Sequence, residues 1–311
     1  MNLPEPGARG LVRRFIFENR PVRGHWVRLD AAWREVCAHA HYTPAVTALL
    51  GEAVVASVLL ASTLKFRGTL TLQLQGDGAV SLLVAQCTHD FRVRAVARCE
   101  PAASGRPAGE HPGAGGGFRE LVGAHGRVTV TIEAEERSSR YQGVVPLGGE
   151  SLAECLEAYF ASSEQLPTRV LLAADAHLGA GLLVQKLPQE THADPEEGAD
   201  AWAEARAGMT RVSREHLLAD DAESLLARGF AAHDLRLFQG SPVRFACRCS
   251  PGRVAGLLRA LGAVEVRDVL REQGAVTVTC EFCHRPYRFD AIDVESLFAH
   301  PAAPGGSGQV H

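Results

Sequence analysis

The spacing of apolar residues changes repeatedly along the chain, and each change predicts an element. Arg14-Phe15-Ile16-Phe17 running into Glu18-Asn19, and then Val22-Arg23-Gly24, reads as strand and turn over residues 11–30, with a short helix over 31–41. Thr43 is placed as an N-cap with Pro44 at the first helical position. They open an apolar run through Leu64 whose only charged residue is Glu52. About twenty such residues reach the length of a membrane span. The run is, however, heavy in alanine, contains Gly51 and Ser57, and has no aromatic or basic belt at its ends. A helix buried on most sides in a soluble core is therefore expected, not a membrane segment.

Strict alternation in Leu70-Thr71-Leu72-Gln73-Leu74-Gln75 predicts a strand, Gly76-Asp77-Gly78 a hairpin turn and nothing more, and residues 80–87 and 91–99 two further strands. Residues 100–117, rich in Pro, Gly and Ala, read as a flexible surface excursion. Strands are expected over 128–134 and 141–147. Ser151 caps an amphipathic helix through Ser162, with Glu154 at the capping-box position. A connector over 163–169 leads to strands over 170–174 and 181–187. Residues 1–188 thus make one N-terminal α+β domain, a mixed sheet with helices.

The pattern shifts at Pro188. Residues 192–236 carry helical periodicity, with acidic residues outnumbering basic ones, and Leu217, Leu218, Leu225, Leu226 and Phe230 fall on or near one face. Any amphipathic connector carries such a stripe, but something has to cover it. Gly240-Ser241-Pro242 marks a boundary. Beyond it, residues 253–261 read as helix, 276–279 and 287–289 as strands, and 301–308 as a tail disordered by composition. The expected order is a core domain (1–188), a helical linker (189–240), a small C-terminal domain (241–295) and a flexible tail (296–311).

Composition narrows the class. A chain of 311 residues with 46% hydrophobic residues buries a proper core. A net charge of −4 and a pI of about 6.4 give no overall basic field for nucleic acid. The N-terminus, Met1-Asn2-Leu3-Pro4-Glu5-Pro6, has no signal-peptide pattern, so the cytoplasm is expected. Cys37, Cys87, Cys99 and Cys155 are scattered and read as small buried hydrophobes in a reducing compartment. No Ser/His/Asp arrangement or phosphate loop stands out, and no enzyme is identified.

The remaining cysteines form a frame: Cys247-Arg248-Cys249, thirty residues, then Cys280-Glu281-Phe282-Cys283. Two tight pairs of thiolates suit a tetrahedral Zn²⁺ with sulfurs at roughly 2.3 Å. His284, next in sequence, is not needed, because four cysteines fill such a site. The one-residue spacing of the first pair is unusual. On an extended segment it puts both side chains on one face, so the sulfurs can share a metal or, without it, each other. Cys-x-x-Cys is also the spacing of thiol-disulfide centres. The quartet therefore reads as a structural metal site or as a redox switch. Four thiolates around one Zn²⁺ carry about −2 of charge, which Arg244, Arg248 and Arg285 are placed to offset.

Together with this frame, Arg14-Phe15-Ile16-Phe17-Glu18-Asn19, Thr63-Leu64-Lys65-Phe66, Leu72-Gln73-Leu74-Gln75-Gly76-Asp77-Gly78, Tyr141-Gln142-Gly143-Val144-Val145 and Ser163-Glu164-Gln165-Leu166-Pro167-Thr168-Arg169 resemble segments of the redox-regulated heat-shock chaperone family of about 33 kDa. The helix stretch around Cys155 resembles it too, and the likeness is nearly full length. The excursion at 100–117 is longer than the family pattern. The resemblance implies an ATP-independent holdase, inactive while reduced and holding one Zn²⁺ on Cys247, Cys249, Cys280 and Cys283. It implies that oxidants pair Cys247 with Cys249 and Cys280 with Cys283, that the small domain then unfolds, and that the active form is commonly a homodimer binding unfolding clients. The stripe of Leu217, Leu218, Leu225, Leu226 and Phe230 would then pack on the N-terminal sheet until released as client-binding surface. Two rivals remain on the residues alone: a zinc-ribbon nucleic-acid-binding protein, against which the acidic balance speaks, and a thiol-disulfide oxidoreductase using Cys280 and Cys283.

Overall fold

The computed structural model describes residues 10–99, 117–135, 140–188 and 195–299. The excursion expected at 100–117 (except Gly117) and the tail at 301–308 lie outside the described residues. The chain divides into two compact units, Met1–Ala246 and Cys247–His311, and the architecture is α+β as expected.

The large unit is built on one sheet of eleven strands. In chain order its elements are β1 (Gly10–Phe17), β2 (Val22–Leu29), α1 (Ala31–Cys37), α2 (Pro44–Thr63), β3 (Gly68–Gln75), β4 (Val80–Thr88), β5 (Arg92–Cys99), α3 (Phe118–Val122), β6 (Arg127–Ala134), β7 (Arg140–Pro146), α4 (Leu152–Tyr159), a π-helical turn (Phe160–Glu164), β8 (Thr168–Ala174), β9 (Gly179–Lys186), α5 (Pro195–Met209), α6 (Arg214–Ala219), α7 (Ala222–Phe230), β10 (Leu235–Leu237) and β11 (Ser241–Phe245). The strands run β7-β6-β3-β4-β5-β11-β1-β2-β9-β8, with β10 also on β1. All pairings are antiparallel except that of β11 with β5.

Strand alternation sends successive side chains to opposite faces, and here both faces are used. Val12, Val27, Leu29, Val170 and Leu183 point to a core filled by α2. Phe15, Phe17, Val22, Trp26, Ala173, Leu182 and Val184 point to a second core filled by α5, α6 and α7. This double cover explains why β9 is buried along nearly its whole length and reads as an almost unbroken apolar run. By length and composition α2 could cross a membrane, but 72% of its apolar window is buried. It packs on β2, β8 and β9 and also on β3, β4 and β5. Thr43 caps it, its Oγ1 accepting from the Val46 N–H at 3.4 Å. Two details differ from expectation. Glu154 Oε2 accepts from the Glu150 N–H at 2.8 Å and not from that of Ser151, so the capping box is incomplete. Cys99, expected inside, is exposed at the last position of β5, opposite Val80 of β4; Cys87 and Cys155 are buried and Cys37 partly so.

The small unit contains α8 (Pro251–Leu261), α9 (Ala263–Gln273), β12 (Val276–Thr279), β13 (Pro286–Phe289) and α10 (Ala291–Ala299). Among the described residues its buried core is Val254, Ala255, Leu258, Val266, Val276, Tyr287, Phe289, Val294 and Leu297. Residues 296–299, expected to begin the tail, are the last turn of α10, because Leu297 is buried and its carbonyl accepts from Arg259 Nε at 3.1 Å. Residues 241–246, expected with the small domain, run along the large sheet instead, since β11 has strand partners on both sides.

Candidate metal centre and covered sheet face

Cys247 and Cys249 lie just before α8, whose N-cap Ser250 accepts from the Arg253 N–H. Cys280 and Cys283 lie in the turn between β12 and β13. Within that turn the Cys280 N–H donates to the Arg285 carbonyl at 3.0 Å and the His284 N–H to the Cys280 carbonyl at 2.7 Å. His284 takes the left-handed conformation (φ 50°) that closes the loop. The hairpin is held in register by Val276↔Phe289 and Val278↔Tyr287.

All four Sγ atoms lie within 4.8 Å of one another. Cys247 Sγ stands 3.6 Å from Cys280 Sγ, and Cys249 Sγ 3.4 Å from Cys283 Sγ. Metal–sulfur bonds of roughly 2.3 Å at tetrahedral angles separate sulfurs by about 3.8 Å, so the donor set and spacing fit Zn²⁺. Thiol contacts link the sulfurs both across the two pairs and within them. Cys280 and Cys283 follow a strand and are not at a helix N-terminus, the setting in which a Cys-x-x-Cys pair becomes an oxidoreductase centre.

Hydrogen bonds distinguish the sulfurs. The Cys-x-x-Cys turn offers its own amides: those of Phe282 and Cys283 toward Cys280, and that of Arg285 toward Cys283. The Cys-x-Cys segment is too short for such a turn. Cys249 instead accepts from Tyr287 Oη at 3.0 Å. Without metal, burial works against the Cys249 thiolate, but the bonds from Tyr287 and the neighbouring thiols bring its pKa down to about 7. Burial pushes the Cys283 thiol up to about 12. Sequence reasoning missed Tyr287; its only signal was the alternation of β13, which turns Tyr287 and Phe289 inward. Arg244, expected near the quartet, belongs to β11 of the large unit.

The linker stripe lies on the sheet. Leu217, Leu225, Leu226 and Phe230 are buried and Leu218 partly so, against a floor of Phe15, Phe17, Trp26 and Leu182. The Phe230 ring meets that of Phe17 edge-on at 5.2 Å and lies 6.1 Å from that of Phe15. Two glycines make room. A Cβ on Gly24 would fall 2.0 Å from the Phe15 ring, and one on Gly208 2.4 Å from that of Phe230.

Charged groups frame this seat. Arg13 pairs with Glu223 at 2.5 Å, Arg20 with Glu204, and Arg236 with Glu18 at 2.6 Å. Arg28 Nη1 donates to the carbonyls of Leu218 and Asp220. Arg214 of α6 binds Glu52 of α2 at 2.8 Å. Burial raises the Glu52 carboxyl, and Arg214 opposes that shift.

Residues 11–290 match the family model described as Hsp33 protein. A 33 kDa chaperonin of Pseudomonas paraeruginosa is 42% identical over 300 residues, covering 96% of this chain and 98% of the relative. One of Methylobacillus flagellatus is 40% identical over 302 residues, with the same coverages. The crystal structure of a 33 kDa chaperonin, a heat shock protein 33 homologue of Thermotoga maritima, superposes with a TM-score of 0.77 at 21% identity, covering 94% of this chain and 98% of the other. At that identity it speaks for the fold.

Proposed function

Because the chain belongs to the Hsp33 protein family, matching it over residues 11–290, we propose that it is a redox-regulated, ATP-independent holdase of the cytoplasm, silent when reduced and zinc-bound. The observation that carries this reading is the convergence of four thiols in a small unit whose core, among the described residues, is nine buried side chains. Bound Zn²⁺ would keep the four sulfurs as thiolates and contribute on the order of 10 kcal/mol to folding. So small a core cannot replace that contribution.

In this reading residues 1–188 are the client-binding core, 189–246 a metastable linker ending in β11, and 247–299 the switch segment. Oxidation joins Cys247 to Cys249 and Cys280 to Cys283. In each step two thiolates give up two electrons, and one peroxide takes them with two protons to leave two waters. Once joined in disulfides, the sulfurs no longer serve as thiolate ligands for the metal. The small unit then unfolds and the linker loosens. The floor of Phe15, Phe17 and Trp26 and the stripe of Leu217, Leu218, Leu225, Leu226 and Phe230 become surface for unfolding proteins, with the oxidised chain acting as a homodimer.

The test is to follow zinc release with a colorimetric chelator and aggregation of a heat-denatured protein in parallel, before and after peroxide. Zinc release and protection should rise together. Equal protection in both states, or protection with zinc retained, would sink the switch mechanism.

A further inference from the structure

The linker ends in a strand that holds the sheet together. On one side β11 pairs with β1 through Gly10↔Val243, Leu11↔Pro242 and Val12↔Ser241. On the other it pairs with β5 only through Arg244↔Arg92 and Phe245↔Val93, with the Arg244 N–H on the Phe91 carbonyl at 3.1 Å and the Ala246 N–H on that of Val93 at 3.0 Å. In the order β7-β6-β3-β4-β5-β11-β1-β2-β9-β8, it alone joins the two halves. The seam is short, and Pro242 has no N–H to give it. Ala246 makes its last hydrogen bond, and Cys247 is the next residue.

Removing β11 leaves the rest of the unit standing, since α2 packs on β3, β4 and β5 of one half and on β2, β8 and β9 of the other. What opens is a slot about 9.6 Å wide, two strand spacings, with an unpaired backbone edge on each side. Its present occupant shows what it accepts. Val243 is 1% exposed and Phe245 packs beside it on the α2 core, while Pro242 and Arg244 alternate to the other side.

Resting on the switch reading above, we propose that β11 is a built-in stand-in for a client: in the active form it leaves, and an extended, alternately apolar segment of an unfolding polypeptide is taken up between β5 and β1 by strand addition. Backbone pairing recognises extended chain whatever its sequence, and the positions of Val243 and Phe245 supply the apolar preference.

Hydrogen exchange on the full chain tests this, in the reduced zinc-bound form, after peroxide, and after peroxide with reduced, carboxymethylated lactalbumin as client. On oxidation, amides of 241–246 should exchange roughly tenfold faster or more, as local opening requires. Those of 10–12 and 91–93 should lose protection with them and regain it with client, and a synthetic peptide of residues 238–246 should compete with the client for the slot. If 241–246 stays protected while aggregation is suppressed, the slot proposal falls and the switch reading stands. If peroxide gives neither zinc release nor protection, the switch reading falls. The slot is then tested on Val243→Asp protein, whose seam is loosened without oxidant; failure of that variant to take up the peptide overturns the proposal, and Val243→Ile controls for the fold.

Discussion

Tyr287 does for the first cysteine pair what the peptide backbone does for the second. Its hydroxyl reaches Cys249 at 3.0 Å across 38 residues of sequence, where a one-residue spacing leaves no turn to supply amides. Groups that orient a metal's ligands typically matter 10- to 100-fold in affinity. Tyr287→Phe, which keeps the ring in the small core, should therefore weaken zinc retention about tenfold in a chelator competition. A shift of the sulfur-to-metal absorption band of the cobalt-loaded protein should accompany it, which a purely structural hydroxyl would not cause. The four-cysteine cluster was legible in the sequence because its chemistry is carried by residue type and spacing. Tyr287 was not, because its role depends on an approach that only the β12–β13 hairpin creates. Cys99 was misread for a related reason: composition marks a cysteine as a small hydrophobe but says nothing about where its strand ends.

Among the elements, α2 and the stripe of α6 and α7 were visible as patterns, and the structure supplies the surface the stripe rests upon. Phe230 anchors that contact. Phe230→Ala should cost about 3–5 kcal/mol of linker docking, read as faster limited proteolysis within 195–236 and as client protection without oxidant. Gly208→Val, which drives a side chain toward the Phe230 ring, should act in the same direction through the same proteolysis readout. The helices α9 and α10 escaped sequence reading. The first is charged and rich in valine, with one buried residue, Val266, to mark its inner face. The second follows Asp290, whose Oδ1 accepts from the N–H groups of Ile292 and Asp293, close to the expected end of the domain. β11 was hidden because five residues containing a proline do not look like a central strand. Its place comes from partners more than 140 residues away in sequence.

For the whole molecule, the two units should part company in stability. Stripping zinc under reducing conditions should abolish hydrogen-exchange protection across 251–299. Amides of β3, β4 and β6, deep in a sheet closed on one face by α2, should keep theirs; joint loss of both sets would mean that the large unit leans on the small one. The α+β class was legible from the alternation of strand and helix patterns. The strand order was not, since pairing across long separations leaves no local trace. The arginines around the seat carry a further meaning. Arg13, Arg20 and Arg28 are matched by Glu223, Glu204 and backbone carbonyls of the linker. Their surroundings are neutral only while that acidic segment is in place. Vacated, the same face is an aromatic floor with Arg13, Arg20 and Arg28, and also Glu18 and Glu52, left without their linker partners. On the proposed switch it would sort its guests by charge as well as by apolarity, favouring apolar stretches whose flanking charges of both signs match that pattern, with the displaced linker as their nearest competitor.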